Sequence, residues 1–249
     1  MMKRRKGQNF LVDPDVIEHI AEYACLTKSD RVLEIGSGTG NLTKVLAERA
    51  GFVFAIEVDP KLATELQGKF DNVQVIRGNA LKVEFPDYNK VVSNLPYQIS
   101  SKITYRLLTK PFEVAVLMYQ REFAQRMLTN PGDAAYGRLA MLMGHFCFVE
   151  IVEMVSRWAF YPAPKAESSL LKLKPRKNRP DVDTVRFMRL VEKLFANRRK
   201  KVKKVLSALG VSAQKLAGID PSLLERRPEE LWPDEAASLV DFIPTSASQ

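Results

Sequence analysis

The feature that most constrains the fold is a glycine-rich loop between a short apolar run and a helical pattern. Residues 31–35 are predicted to form a buried strand whose apolar residues are Val32, Leu33 and Ile35. Residues 36–40 follow with glycine at every second position, and Asn41 opens the helical pattern. In a doubly wound α/β sheet, ligands bind at the carboxyl end of the first strand, where such a loop lets backbone approach the ligand closely. The sequence therefore predicts a parallel sheet with a ligand site at this loop.

Strands and helices continue to alternate along the next part of the chain. Strands are predicted over 52–57, 73–76, 90–93, 113–119, 148–156 and 168–173. Helices are predicted over 13–26, 59–70, 100–109, 120–128 and 138–146, besides the helix that Asn41 opens. Alternation at this spacing is typical of a parallel α/β sheet. We expect a Rossmann-like sheet, closed by an antiparallel pair formed by its last two strands.

The pattern changes after a polar linker at about 174–183. Beyond the linker the apolar residues recur only at helical spacing, as at Val185, Met188 and Val191, and then at Val202 and Val205. This periodicity predicts helices without strands. We therefore predict two domains, with residues 1–177 carrying the ligand site and residues 178–249 forming a small all-α domain.

Positive charge is concentrated in two places. The chain has a formal net charge of +9, and residues 176–204 alone contain 12 Lys and Arg against 3 Asp and Glu. Residues 3–6 are all basic as well. Clustered positive charge is typical of a surface that binds a polyanion, whereas one short run is usually a solvated helix face. Two separate clusters favour a nucleic acid as the partner.

Several other classes of protein are disfavoured. The longest nearly apolar run, 139–149, is shorter than the ~20 residues of a membrane span. Cys25 and Cys147 have no metal-type spacing, and the two histidines, His19 and His145, are too far apart in sequence to suggest a metal or catalytic cluster. Lone apolar-flanked thiols are typical of a reducing compartment. We expect a cytoplasmic monomer that needs no metal.

The segment Asn94-Leu95-Pro96-Tyr97 directly follows the predicted strand 90–93. It brings together a side-chain amide, a backbone carbonyl and an aromatic ring. An enzyme acting on the exocyclic amine of a base needs these groups, because the oxygens accept the amine protons and the ring stacks on the base. Ordinary turn chemistry is the alternative for this segment.

The type of ligand follows from the loop and from Glu57. The loop lacks the lysine of a P-loop, and Asn41 stands where a dinucleotide fingerprint has glycine or alanine. Glu57 ends the second strand of the sheet, where its carboxylate can accept both hydroxyls of a ribose. A nucleoside without an obligatory pyrophosphate fits best, and S-adenosylmethionine is the common one.

Together these motifs resemble the KsgA-type ribosomal RNA adenine dimethyltransferases, which methylate the exocyclic amine of adenosines in small-subunit ribosomal RNA. The matching segments occur in the order of that family and span roughly the whole chain. They are 7–11, 34–43, 55–59, 78–81, 94–97, 160–165 and 195–200. The resemblance implies a Rossmann-like methyltransferase domain over 1–177 and a helical domain that binds ribosomal RNA over 178–249.

The resemblance also implies roles for individual residues. S-adenosylmethionine would be held by Gln8, Asn9, Leu11, Gly36, Gly38, Glu57, Asn79, Ala80 and Asn94. Catalysis would fall to Asn94, Leu95, Pro96, Tyr97 and Phe160. Tyr97 and Phe160 would stack on the flipped adenine, although Phe160 reads equally well as a core aromatic. The family usually has aspartate where this chain has Asn79.

The partner implied is small-subunit ribosomal RNA or a precursor of the small subunit. Its phosphates would contact Lys3, Arg4, Arg5, Lys6, Lys165, Arg198, Arg199, Lys200, Lys201, Lys203 and Lys204. The expected reaction is dimethylation of two adjacent adenosines near the 3′ end of that RNA during ribosome biogenesis. Two alternatives stay open: a large-subunit methyltransferase of the antibiotic-resistance type, and a ribosome-assembly factor whose catalysis is secondary. The loop spacing disfavours a nicotinamide dehydrogenase.

Overall fold

The structure, a computed structural model, describes residues 8–244, which fall into two compact units. The first unit comprises the residues up to 124 together with 149–175, and the second comprises 125–148 together with the residues from 176 onward. The last change of unit, after Pro175, lies close to the predicted boundary at 177. The sequence did not indicate that 125–148 belong with the C-terminal helices.

The first unit is built on a mixed sheet. The strands of the chain are β1 (Phe10–Leu11), β2 (Arg31–Ile35), β3 (Phe52–Glu57), β4 (Val73–Arg77), β5 (Lys90–Asn94), β6 (Val114–Gln120), β7 (Cys147–Val155), β8 (Phe160–Tyr161) and β9 (Ser168–Pro175). Seven of them form one sheet in the order β4-β3-β2-β5-β6-β9-β7. The first five in that order are parallel, and β9 runs antiparallel to β6. The predicted α/β fold is confirmed.

Several helices begin where the sequence provides a capping side chain. The helices of the chain are α1 (Pro14–Tyr23), α2 (Asn41–Arg49), α3 (Pro60–Leu66), α4 (Ser100–Leu107), α5 (Arg121–Met127), α6 (Arg138–Phe146), α7 (Thr184–Ala196), α8 (Val202–Ala208), α9 (Ala213–Ala217), α10 (Pro221–Glu225) and α11 (Pro233–Ser238). Asp13 accepts hydrogen bonds from the first backbone N–H groups of α1, and Asp59 does the same for α3. In both helices proline occupies the first position, where its missing N–H costs nothing.

A second sheet consists of only two short strands. β1 and β8 pair antiparallel, with Phe10 opposite Tyr161 and Leu11 opposite Phe160. The backbone carbonyl of Ala159 extends this pairing, because it accepts hydrogen bonds from the N–H groups that follow β1. Leu11 and Phe160 are buried in the core of the first unit, so one face of the small sheet is apolar.

In the second unit, residues 125–148 belong with the C-terminal helices because α6 packs against both α7 and α11. Tyr136 is buried and donates a hydrogen bond to the backbone oxygen of Leu231 at 2.9 Å. A Cβ at Gly144 would lie 2.9 Å from the Pro233 ring, so the close approach of α6 to α11 requires glycine. These contacts join segments almost 100 positions apart, which explains why the sequence did not reveal them.

The second unit also buries a histidine among charged groups. The ring of His145 is fully buried, with its Nε2 3.0 Å from Arg179 and its Nδ1 3.4 Å from Asp234. Arg176 bridges the same Asp234 with two hydrogen bonds. Burial above all, and then the guanidinium of Arg179, lower the pKa of His145 from 6.5 to about 4, against the opposing effect of Asp234.

This histidine should weaken the protein in acid. Below pH 6.5 His145 becomes protonated in the unfolded chain, whereas in the folded chain it stays neutral down to about pH 4. The free energy of unfolding should therefore fall by about 3 kcal/mol across that window. We expect His145→Gln, which can still accept from Arg179, to remove this loss. Denaturant unfolding of wild type and variant from pH 7 to pH 4.5 measures it.

The control for this prediction is His19→Gln, because His19 is the other histidine of the chain and its side chain is 46% exposed. That variant should keep the loss of stability in acid that the buried His145 causes. Carboxylates that contact neither histidine are the same in every variant and cancel in the comparison. Equal pH slopes for His145→Gln and the wild type would contradict the assignment.

Candidate functional site

A cavity of about 350 Å³ lies in the first unit, at the carboxyl ends of β2, β3, β4 and β5. The lining segments are 8–11, 34–39, 41–42, 56–58, 78–80 and 94–99. All the residues predicted to bind the cofactor line this one cavity, together with Leu95, Pro96 and Tyr97. Their individual roles stay predictions, but the fold brings them together as parallel strands do with residues at their carboxyl ends.

The glycine loop and the segment after β5 touch at the floor of the cavity. Gly36 has φ +80°, and a Cβ there would lie 3.1 Å from the ring of Pro96. The hydroxyl of Ser93 donates to the carbonyl of Ile35 at 2.6 Å, which ties the end of β5 to the end of β2. These contacts hold Asn94 beside the loop.

Glu57 fixes the glycine loop through its carboxylate. One oxygen accepts from the N–H of Gly38 at 2.8 Å, and the other accepts from the N–H of Asp59 at 2.8 Å. A carboxylate offers about four acceptor positions, so these two bonds leave room for two more. Glu57 can thus accept two ligand hydroxyls while it holds the loop.

We therefore expect Glu57→Gln to weaken cofactor binding by about tenfold or more. The amide loses the charge and replaces one acceptor oxygen with a donor, which disfavours both the loop and a vicinal diol. Isothermal titration with S-adenosylhomocysteine measures the loss. Glu65→Gln, on the exposed side of α3, is the matched control and should bind as the wild type does. Unchanged affinity in Glu57→Gln would argue against the ribose role.

A second carboxyl, Glu34, lies at the floor of the cavity and is almost fully buried. Burial raises its pKa to about 8, the charge of Glu57 adds to the rise, and a 2.6 Å hydrogen bond from Thr43 opposes it. Near neutral pH Glu34 is therefore largely protonated.

The loop after β4 is held in place from two sides. Asn79 accepts a hydrogen bond from the N–H of Leu81 through its side-chain oxygen, at 2.9 Å. Arg106 donates to the carbonyls of Ala80 and Val83. The oxygen of Asn79 has one further lone pair for a ligand amine. Sequence reasoning missed Arg106, because no local pattern connects it to residues more than 20 positions away.

Asn94 and Tyr97 differ in how firmly they are held. Within residues 8–244, no side-chain hydrogen bond is seen for the partly exposed amide of Asn94. The hydroxyl of Tyr97, in contrast, is 2.6 Å from the hydroxyl of Ser168 at the start of β9. Burial raises the pKa of Tyr97, which keeps the phenol neutral. The cavity thus presents a free amide beside an anchored aromatic ring.

Phe160 does not line the cavity, unlike the other residues predicted to be catalytic. Its ring is 3% exposed and belongs to the core of the first unit, the other role considered for it. Tyr161, the next residue, is 61% exposed. Because neighbouring strand residues point to opposite faces, pairing Phe160 with buried Leu11 turns Phe160 inward. Its stacking role stays a prediction that this placement does not favour.

The predicted RNA-binding residues fall into three groups. Lys3, Arg4, Arg5 and Lys6 lie outside the described residues. In the second unit, Arg198 pairs with Glu229, and Lys201 pairs with Glu225. The remaining basic side chains are exposed, namely Lys165 in the first unit and Arg199, Lys200, Lys203 and Lys204 in the second. The predicted ridge is therefore a turn followed by α8, with two of its charges paired.

Two features are absent from residues 8–244. No group of three or more His, Cys, Asp or Glu residues there is arranged to hold a metal ion. Nor does any helix in that range have the length and apolar character to cross a membrane.

Comparison with known proteins extends over both units. The family model described as ribosomal RNA adenine dimethylase matches residues 1–240. A Methanothermobacter thermautotrophicus protein named probable ribosomal RNA small subunit methyltransferase A is 44% identical, over 97% of this chain and 91% of its own. A Pyrococcus furiosus protein of the same name is 42% identical, over 95% and 90%.

Solved structures give the same result. A dimethyladenosine transferase from Plasmodium falciparum superposes with a TM-score of 0.80 at 31% identity, covering 94% of this chain and 97% of its own. The 23S rRNA methyltransferase ErmE superposes with a TM-score of 0.67, also at 31% identity, covering 94% and 99%. The similarity thus includes the C-terminal helices as well as the sheet.

Proposed function

Since the chain belongs to the ribosomal RNA adenine dimethylase family, we propose that it transfers methyl groups from S-adenosylmethionine to the N6 amine of adenosines in small-subunit ribosomal RNA. Family membership confirms the resemblance found in the motifs. The observation that carries the proposal is the amide of Asn94, which has no side-chain partner within residues 8–244 and is set beside the ring of Tyr97 in a cavity that Glu57 and the glycine loop complete. These groups match the needs of an amine, a base and a nucleoside.

The residues of the cavity fit S-adenosylmethionine. Glu57 would hold the ribose hydroxyls, and Asn79 with Ala80 would lie at the adenine. Val58 is 48% exposed directly after Glu57 and offers an apolar contact to the flat ring. Gln8, Asn9 and Leu11 would hold the methionine end. When bound, this cofactor supplies an electrophilic methyl group on a sulfonium.

Asn94 and Leu95 would act on the target amine. Its lone pair is delocalised into the adenine ring, so the amine is a weak nucleophile. Hydrogen bonds from the amine to the Asn94 oxygen and the Leu95 carbonyl would localise that pair and direct it at the methyl group, and the proton displaced from the nitrogen would pass to solvent. Positioning then supplies most of the acceleration. The base must first leave its stack, at a cost of a few kcal/mol, and Tyr97 would stack on it in the cavity.

The small subunit is the better supported of the two ribosomal substrates. The curated relatives named for the small subunit are 42–44% identical to this chain, whereas the large-subunit enzyme ErmE is 31% identical. The finer proposal is dimethylation of two adjacent adenosines near the 3′ end. Cytoplasmic location and a monomeric state also stay predictions.

The test is transfer of labelled methyl groups to small subunits that lack these modifications, followed by mapping of the modified nucleotides. We expect two methyl groups on each of two adjacent adenosines. Small subunits that already carry the modification serve as the control and should accept none. Labelling of large subunits alone would favour the antibiotic-resistance alternative. Tight binding without labelling would favour an assembly factor.

A further inference from the structure

The first unit leaves a tryptophan in solvent. Trp158 is 71% exposed, the highest value among the large apolar side chains of residues 8–244. The guanidinium of Arg157 lies 4.4 Å from the centre of its ring. Tryptophan is usually well buried, so an exposed indole points to a binding role. A cation on one face leaves the other face of the ring for a flat ligand.

The position of Trp158 connects it to the cavity. The next residue, Ala159, accepts hydrogen bonds from the N–H groups of Val12 and Asp13. Two residues further on, Tyr161 lies opposite Phe10, which lines the cavity. Residues opposite each other on antiparallel strands project from the same face. The side chain of Tyr161 therefore stands beside Phe10. Residues 157–161 do not line the cavity themselves, but they adjoin the strand that contributes Phe10 and Leu11 to it, and we call them the rim.

The rim combines two exposed aromatic rings with positive charge. Arg157 is exposed, and so is Lys165, just beyond the strand that ends in Tyr161. Aromatic rings beside cations are how proteins hold unpaired nucleotides, because each base offers a flat face and each phosphate a negative charge. When the target adenosine leaves its stack, the nucleotides on either side of it lose a stacking partner. These nucleotides would then lie next to the rim.

We propose that Trp158 and Tyr161, with Arg157, form a stacking surface for the unpaired nucleotides that flank the target adenosine. This surface rests on the proposed function for the identity of the RNA. It differs from the catalytic cavity, since it holds neighbours of the target and touches neither the cofactor nor the reacting amine. RNA is favoured over a protein partner because the cations lie among the exposed rings.

The two tryptophans of the chain allow a direct test. Trp158 and Trp232 are its only indoles, and Trp232 is 53% exposed in the second unit. Trp232→Phe leaves Trp158 as the sole indole, and Trp158→Phe leaves Trp232. We expect an unpaired oligoadenylate of about ten nucleotides, within the range of known single-strand sites, to quench the first variant saturably and the second little. Absence of quenching in Trp232→Phe would overturn the proposal.

Steady-state kinetics of Trp158 variants distinguish a stacking role from a structural role. Trp158→Ala should raise KM for unmethylated small subunits about tenfold, the loss expected for one stacked base. The kcat of Trp158→Ala should change little. Trp158→Phe keeps an aromatic ring, so its KM should lie near the wild-type value. Trp232→Ala is the control. Weaker subunit binding without oligonucleotide quenching would indicate a ribosomal protein and overturn the RNA assignment. If the wild type methylates no RNA, the proposed function fails, while the quenching still decides the stacking surface.

Discussion

Asn94→Ala should lower the rate of methyl transfer by about 10²- to 10³-fold, the loss typical of removing one preorganised group that stabilises a transition state. The amide oxygen is needed only when the adenine amine gives up the delocalisation of its lone pair. Cofactor affinity should stay within about threefold of the wild type, since Glu57 and the glycine loop are held by bonds that do not involve Asn94. Single-turnover transfer and titration with S-adenosylhomocysteine measure the two quantities separately.

Truncation of Asn94 should also leave the fold intact. No hydrogen bond of its side chain to another residue of the described range is lost, so no buried partner is orphaned. The matched control is Asn130→Ala, which removes an exposed amide in the loop after α5 and should keep full activity. Full activity of Asn94→Ala on unmethylated small subunits would rule out the proposed acceptor role, whatever its cofactor affinity.

Much of the fold follows from local sequence. The helix predicted over 138–146 is α6 with the same bounds, because Gly137 precedes it and Cys147 begins a strand. The glycine loop also lies where it was expected, directly after β2. Such features depend on neighbouring residues alone, through apolar periodicity and the conformations that glycine permits.

Other parts of the fold depend on distant partners and could not be predicted. β1 and β8 have two residues each, too few to show any alternation. Without their register the sequence cannot tell whether Phe160 or Tyr161 faces the core, since a slip of one residue exchanges the two faces. Phe160 was expected to meet the base because of the family resemblance, and only the register of β1 and β8 shows that Phe160 is buried and Tyr161 is exposed.

The candidate site shows the same division. Polar residues at strand ends could be predicted to meet, because parallel strands end at one edge of the sheet. The residues that anchor these side chains and loops could not be predicted from the sequence. Ser168 anchors Tyr97 from 71 positions away, and Arg106 anchors Ala80 from 26 positions away. Sequence thus predicted the chemistry of the cavity better than the means by which it is made rigid.

Neutralising the four exposed basic residues of the second unit should have the other large effect. They are Arg199, Lys200, Lys203 and Lys204, each changed to glutamine. If each contacts one phosphate, the variant should release about four fewer counterions, and the log–log slope of subunit binding against salt should flatten by about 3. Binding should weaken most at low salt. Filter binding of small subunits over a salt series measures the slope.

The ion pairs of the second unit provide an internal control. Arg198 and Lys201 already face Glu229 and Glu225, so their charges are partly neutralised before RNA arrives. Changing this pair to glutamine should alter the slope less per charge than the four exposed changes do. Lys61→Gln with Lys69→Gln, exposed in the first unit, controls for net charge alone. An equal salt slope in the fourfold variant and the wild type would mean that these charges are only solvent-exposed and contact no phosphate. The RNA contacts would then have to lie elsewhere.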